Sequence, residues 1–192
     1  MQFSKILKYC FSFETRKINS EKPIILKAFT VWNENLMFSM TPIKATYVEK
    51  NNYYAIQKPG WILFELVPII RQREGNHHLE WDKKKQFSLG VKQIGQLLIT
   101  KNKAYDETSN FLITYQTQVN EKRVLKINKT AQDILISIAK DEEQDKQLNP
   151  YKITLNQAEY ITALELINFS LPFLLGWDAL YTPQLSDNDA QD

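Results

Sequence analysis

The segment Trp81–Val91 reads WDKKKQFSLGV and holds the most concentrated chemistry in the chain. Lys83, Lys84 and Lys85 stand together between two aromatic residues, Trp81 and Phe87. Ammonium groups attract a phosphate backbone, and aromatic faces accept unpaired bases. The combination suits a single-stranded nucleic acid, whose bases are free to stack. Lysine contacts of this kind position a strand without reading its sequence. A second basic stretch, Lys122–Lys126 (KRVLK), offers Arg123 and Lys126 to extend such a surface, and Arg71 and Arg73 add charge nearby. Against this stands the commoner role of a lysine-rich turn between core aromatics, a solvated hairpin.

The two faces of the segment divide by parity. In one uninterrupted strand, Trp81 and Phe87 share a face, which their size assigns to the core. Lys84, Gln86 and Ser88 then form the other face and are the better candidates for backbone contacts, although a turn between Trp81 and Phe87 would reset the count. The nucleic-acid candidates are therefore Lys83, Lys84, Lys85, Gln86, Phe87, Ser88, Arg123 and Lys126.

Other chemistries find little material. With 5 Gly, the chain has no phosphate-cradling glycine loop and no nucleophile elbow. Ser88, in FSLGV, is a sheet serine without a positioned base. The single cysteine, Cys10, excludes an intrachain disulfide framework. His77 and His78 are adjacent in a polar loop and poorly placed to share one ion, so no metal or other cofactor is expected. Glu142 and Glu143 lie in a charged stretch without an apolar wall to raise a pKa. Glu65, inside the apolar run WILFELVPII, either faces water or meets a basic partner. Nothing here supports an enzyme.

Bulk properties agree. The chain has 192 residues, 24 Lys plus Arg against 22 Asp plus Glu, and 43% hydrophobic residues. A net charge of +2 excludes polyanion binding by bulk charge, so any nucleic-acid surface must be a local patch. No apolar run reaches the ~18 residues of a membrane span. Residues 1–22 are basic, Ser-containing and poor in acids, with Phe3, Ile6, Leu7, Cys10 and Phe11 near helical spacing. That pattern suits a mitochondrial targeting segment. A domain is expected over residues 23–180, followed by an acidic tail over 181–192.

The positioning elements read mostly as strands. Apolar, β-branched and alternating runs cover Pro23–Trp32, Leu36–Glu49, Tyr53–Ile56, Trp61–Ile70, Leu79–Asp82, Lys85–Val91, Asn110–Val119, Arg123–Asn128 and Asp133–Ala139. Pro42 predicts an edge strand or two short pieces. Pro59-Gly60 predicts a turn, and Lys92–Leu98 a helical turn or more strand. Arg71–His78 and Asp141–Gln147 are predicted loops. Thr154 and Gln157 form a capping-box pattern opening a helix from Leu155, with Pro172 near its end and Gly176 as its stop. The predicted class is α+β, with two antiparallel sheets and a C-terminal helical region.

Three blocks resemble the Whirly family of single-stranded DNA-binding proteins. They are Pro59–Ile70 (PGWILFELVPII), Glu80–Gly95 (EWDKKKQFSLGVKQIG) and Ile153–Trp177 (ITLNQAEYITALELINFSLPFLLGW). They stand in the family's order and span most of the domain. The family's Lys-Gly-Lys-Ala-Ala-Leu motif is absent: Leu36–Ala45 (LMFSMTPIKA) occupies its place. The family's Cys-Glu-Phe-Phe-His-Asp-Pro element is replaced by Asn110–Gln116, and its Ser after Phe-Ser-Leu is Gly90.

The resemblance implies two antiparallel sheets, four subunits packed through their helices, single-stranded DNA or RNA held between sheets of adjacent subunits, and work in mitochondria or plastids. It also implies that the closing helix contacts a partner subunit, with Leu164, Ile167, Phe169 and Phe173 as candidates. Kinetoplastid mitochondrial guide-RNA-binding proteins share that fold. The near-neutral charge and missing motif leave an alternative, a Whirly-like domain serving as an accessory subunit of a large mitochondrial complex.

Overall fold

A computed structural model describes residues 27–51, 53–71, 77–99, 109–116, 122–130, 132–140 and 150–177. The basic segment 1–22 with Cys10, the charged stretch Asp141–Gln147 and the acidic tail 181–192 lie outside the described residues.

The first sheet is built on β5 (Trp61–Arg71). On one side β5 pairs antiparallel with β2 (Leu36–Ile43), and β2 with β1 (Phe29–Trp32). On its other side β5 pairs first with β7 (Lys85–Gly90) and then with β6 (His77–Leu79). A single 3-10 turn, Trp81–Lys83, separates those two strands. The second sheet is an antiparallel run in the order β11 (Lys152–Asn156), β10 (Asp133–Ala139), β9 (Lys122–Lys129), β8 (Ser109–Gln116). A separate hairpin joins β3 (Thr46–Lys50) to β4 (Tyr53–Lys58). The α+β class with two main antiparallel sheets is as the sequence predicts.

Alternation explains which faces meet. Ile62, Phe64 and Leu66 of β5, and Phe87 and Leu89 of β7, point to one core. Phe38 and Phe64 pack edge to face in it, with ring centroids 5.2 Å apart. From the second sheet Phe111, Ile113, Leu125, Ile127, Ile134, Ile136 and Ile138 join the same core. Two described helices close it. Helix α1 (Val91–Ile99) contributes Ile94 and Leu97, and α2 (Gln157–Leu174) contributes Tyr160, Ala163, Leu164, Ile167 and Leu174. The Gly90 N–H donates to Gln93 Oε1 at 2.8 Å at the start of α1. That is one half of a capping box; glycine has no side chain to supply the other.

Four local expectations are corrected. His77 and His78 belong to β6, paired with Arg71 and Ile70, and not to a loop. Trp81–Lys83 is a 3-10 turn, and not a strand. Thr154 lies inside β11, and the cap of α2 is Asn156, in a reciprocal box with Glu159 in which both hydrogen bonds measure 2.9 Å. Ile153 and Leu155 face the core from a strand that sheet pairing favours over the sequence-level capping pattern. Pro42 sits within β2, which is flanked on both sides. However, β1 ends opposite Met40, so Pro42 lies where the far edge of β2 is open and a missing donor is tolerated. No described helix is long and apolar enough to cross a membrane.

Candidate nucleic-acid interface

Only β5 pairs with β7 among the described residues, so the other edge of β7 is open to neighbouring groups. Along that edge the two sheets meet. Lys84, Lys85, Gln86, Arg123, Ile138, Ala139 and Lys140 line a cavity there of about 290 Å³, with four cations and no acid among them. The Arg123 guanidinium donates to the Gln86 carbonyl at 3.3 Å, tying β9 to the β7 edge. A charged side chain at an open strand edge also blocks unwanted strand pairing.

The 3-10 turn is held by both sheets. The Glu80 N–H donates to the Pro68 carbonyl at 2.9 Å, and the Tyr151 hydroxyl donates to the Lys83 carbonyl at 2.7 Å. The turn sets the three lysines in different directions. Lys83, mostly exposed, pairs with Glu80 at 2.7 Å, and this hydrogen bond and charge raise its pKa above the ordinary 10.5. Lys84 reaches Glu65 Oε1 at 3.0 Å and lies 5.6 Å from the Trp81 ring centroid. Lys85 lies 5.3 Å from the Tyr151 ring centroid and faces the gap between sheets.

Gln86 and Ser88 occupy the face of the first sheet that points away from the core, as parity requires. Gln86 Nε2 donates to Glu65 Oε1 at 2.7 Å, so Glu65 meets a basic partner and an amide together. Thr30, Ser39, Glu65 and Gln86 form one polar row across β1, β2, β5 and β7.

Some sequence candidates do not belong to this surface. Phe87 is 2% exposed, faces Phe64 across β5 and β7, and packs in the core, so its ring cannot receive a base. Lys126 alternates with core residues Leu125 and Ile127, which puts it on the outer face of the second sheet, opposite to Arg123. Leu164 and Ile167 are buried in their own chain's core and do not reach a partner's surface. Phe169, 69% exposed, and Phe173 do face outward, and Leu166 joins them at helical spacing. These three line an apolar cavity of about 280 Å³ with Phe29, Met40, Pro42 and Ile62.

Sequence reasoning missed Trp81 and Lys140. Strand parity puts Trp81 in the core, yet it is 49% exposed, because the turn breaks the parity that would join it to Phe87. The signal was the polar company of Trp81, in LEWDKK, which offers no apolar alternation. Lys140 reaches the groove only through the pairing of β10 with β9, which no local pattern announces.

The chain matches the Whirly transcription factor family over residues 31–165. It is 27% identical over 140 residues to the chloroplastic single-stranded DNA-binding protein WHY1 of Arabidopsis thaliana, covering 66% of this chain and 48% of that protein. It is 23% identical over 168 residues to the Zea mays protein of the same name, covering 80% of this chain and 58% of that protein. The chain thus spans about half the length of these curated relatives. The crystal structure of WHY3 from Arabidopsis thaliana superimposes with a TM-score of 0.63 at 22% identity, covering 83% of this chain and 95% of that one. At that identity the superposition shows a shared fold. With more than half of its length matched, the chain belongs to the Whirly family.

Proposed function

We propose that this protein is a non-catalytic, organellar single-stranded nucleic-acid-binding protein with little sequence preference. The observation that carries this is the groove where the sheets meet, lined by four cations and no acid, with the half-exposed Trp81 ring 5.6 Å from the ammonium of its Lys84. Lys85 and Arg123 would supply the main phosphate contacts, with Lys83, Gln86 and Ser88 at the margins and Lys84 drawn toward Glu65. Trp81 would offer a stacking face. The relatives named as single-stranded DNA-binding proteins support this reading, and their chloroplastic names support an organelle. The basic composition of residues 1–22 favours the mitochondrion. The domain is assigned to residues 23–180, with the tail at 181–192.

Self-association through α2 belongs to the same proposal. Leu166, Phe169 and Phe173 make an outward apolar stripe, which a second copy would cover in a homo-oligomer, a tetramer by family resemblance. The stripe also favours a second reading, an accessory subunit of a larger mitochondrial complex.

The test is fluorescence anisotropy with labelled single-stranded DNA and RNA oligomers, at two salt concentrations. Wild-type protein is compared with a variant in which Lys83, Lys84 and Lys85 are all alanine. Salt-sensitive binding that collapses in the variant supports the nucleic-acid function. Absence of binding at low salt discards it and leaves the subunit reading.

A further inference from the structure

We propose that Glu65 withholds Lys84 from nucleic-acid phosphates and so sets how tightly the groove holds a single strand. The proposal rests on the nucleic-acid reading above. Glu65 lies on the middle of β5, between Ser39 on β2 and Gln86 on β7, and is 9% exposed. A buried carboxylate is costly unless it is paired and hydrogen-bonded. Here a single oxygen, Oε1, takes both Gln86 Nε2 at 2.7 Å and Lys84 Nζ at 3.0 Å.

A phosphate approaching Lys84 meets two penalties. To take the ammonium it must leave Glu65 buried with only a neutral donor, and a pair broken in that way is strongly unfavourable. To share the ammonium it must come close to a like charge. Lys83 and Lys85 are not held in this way. The Lys83–Glu80 pair is an i,i+3 contact whose lysine is 64% exposed, and pairs of that kind exchange readily. Lys85 faces an aromatic ring, which leaves its charge uncancelled. The groove therefore presents fewer available cations than its lining suggests. Glu65 acts through Lys84 and is a positioning residue.

Glu65→Gln keeps the size and a hydrogen-bonding group while removing the charge. Binding of a labelled deoxythymidine oligomer is measured for the full chain between about 50 and 200 mM salt, the range over which counterion release is read. Glu65→Gln is expected to bind more tightly, with a log–log salt slope steeper by about 0.7, the increment for one additional phosphate contact on a single strand. Adding Lys84→Ala to Glu65→Gln is expected to erase that gain. A merely structural role for Glu65 would weaken binding and would not steepen the slope.

A measurement on unaltered protein does not depend on the variant's folding. Acetylation of Lys85 is expected to slow when the oligomer binds, while acetylation of Lys84 stays equally slow with and without it. A Glu65→Gln slope equal to or shallower than wild type in a folded variant overturns the proposal, as does oligomer-dependent protection of Lys84. Salt-sensitive binding alongside either result leaves the nucleic-acid function standing. Absence of salt-sensitive binding in every protein overturns both.

Discussion

Gly60 donates its backbone N–H to the carbonyl oxygen of Leu174 at 2.8 Å. The link between β4 and β5 thereby satisfies one of the carbonyls that every helix leaves unpaired at its C-terminal end. It also fixes the end of α2 over the first sheet, which keeps Phe169 and Phe173 directed outward. Gly60 is buried at this crossing, and a Cβ there would collide with the Ile43 carbonyl and come within 3.0 Å of Leu174 Cα.

Gly60→Ala is therefore expected to destabilise the fold by about 1–3 kcal/mol, the usual cost of overpacking. Chemical denaturation checks this through the midpoint of unfolding. A wild-type midpoint would mean that the β4–β5 link moves aside at no cost.

Asn156→Ala removes one half of the capping box at the start of α2. The expected loss is about 0.5–2 kcal/mol, as for other helix caps. Thr154→Ala provides the contrast, because Thr154 is an exposed β11 residue and such substitutions stay within about 0.5 kcal/mol. Thermal melts of both variants separate the observed cap from the one the sequence pattern suggested.

Phe169→Ser with Phe173→Ser is expected to leave subunit stability nearly unchanged while reducing self-association, because both rings face outward. Leu164→Ala, in the core, is expected to cost about 2–5 kcal/mol. Light scattering coupled to size exclusion, paired with denaturation, reads both effects. Full self-association of the double variant would place the subunit contact elsewhere.

Trp81→Ala and Lys85→Ala should weaken single-strand binding in different ways. Loss of a stacking ring costs about 1–3 kcal/mol per base and leaves the salt slope unchanged. Loss of one phosphate contact makes the slope shallower by about 0.7. Salt titrations of the two variants test this, and an equal slope change in both would remove Trp81 as a stacking platform.

Local chemistry made much of the protein legible. Alternation in Asn110–Val119 and Asp133–Ala139 points to the strands found as β8 and β10, and Phe111 and Ile113 are buried as that alternation requires. The KKKQFSL and LPFLLGW blocks pointed to the family, which the match over residues 31–165 bears out. These features are encoded within a few neighbouring residues, where the period of apolar side chains follows directly from backbone geometry.

Tertiary structure decided which side chains share a surface. A three-residue turn detached Trp81 from the face of Phe87, leaving one ring in solvent and the other in the core. Pairing of β9 with β10 carried Arg123 and Lys140 to the same groove, while a single step of alternation sent Lys126 to the far side of its sheet. Glu65 and Lys84 are 19 positions apart in sequence, yet β5 and β7 bring them to 3.0 Å. Register and turn geometry set such contacts, and both depend on pairing partners distant in sequence, so a window of neighbouring residues does not contain them.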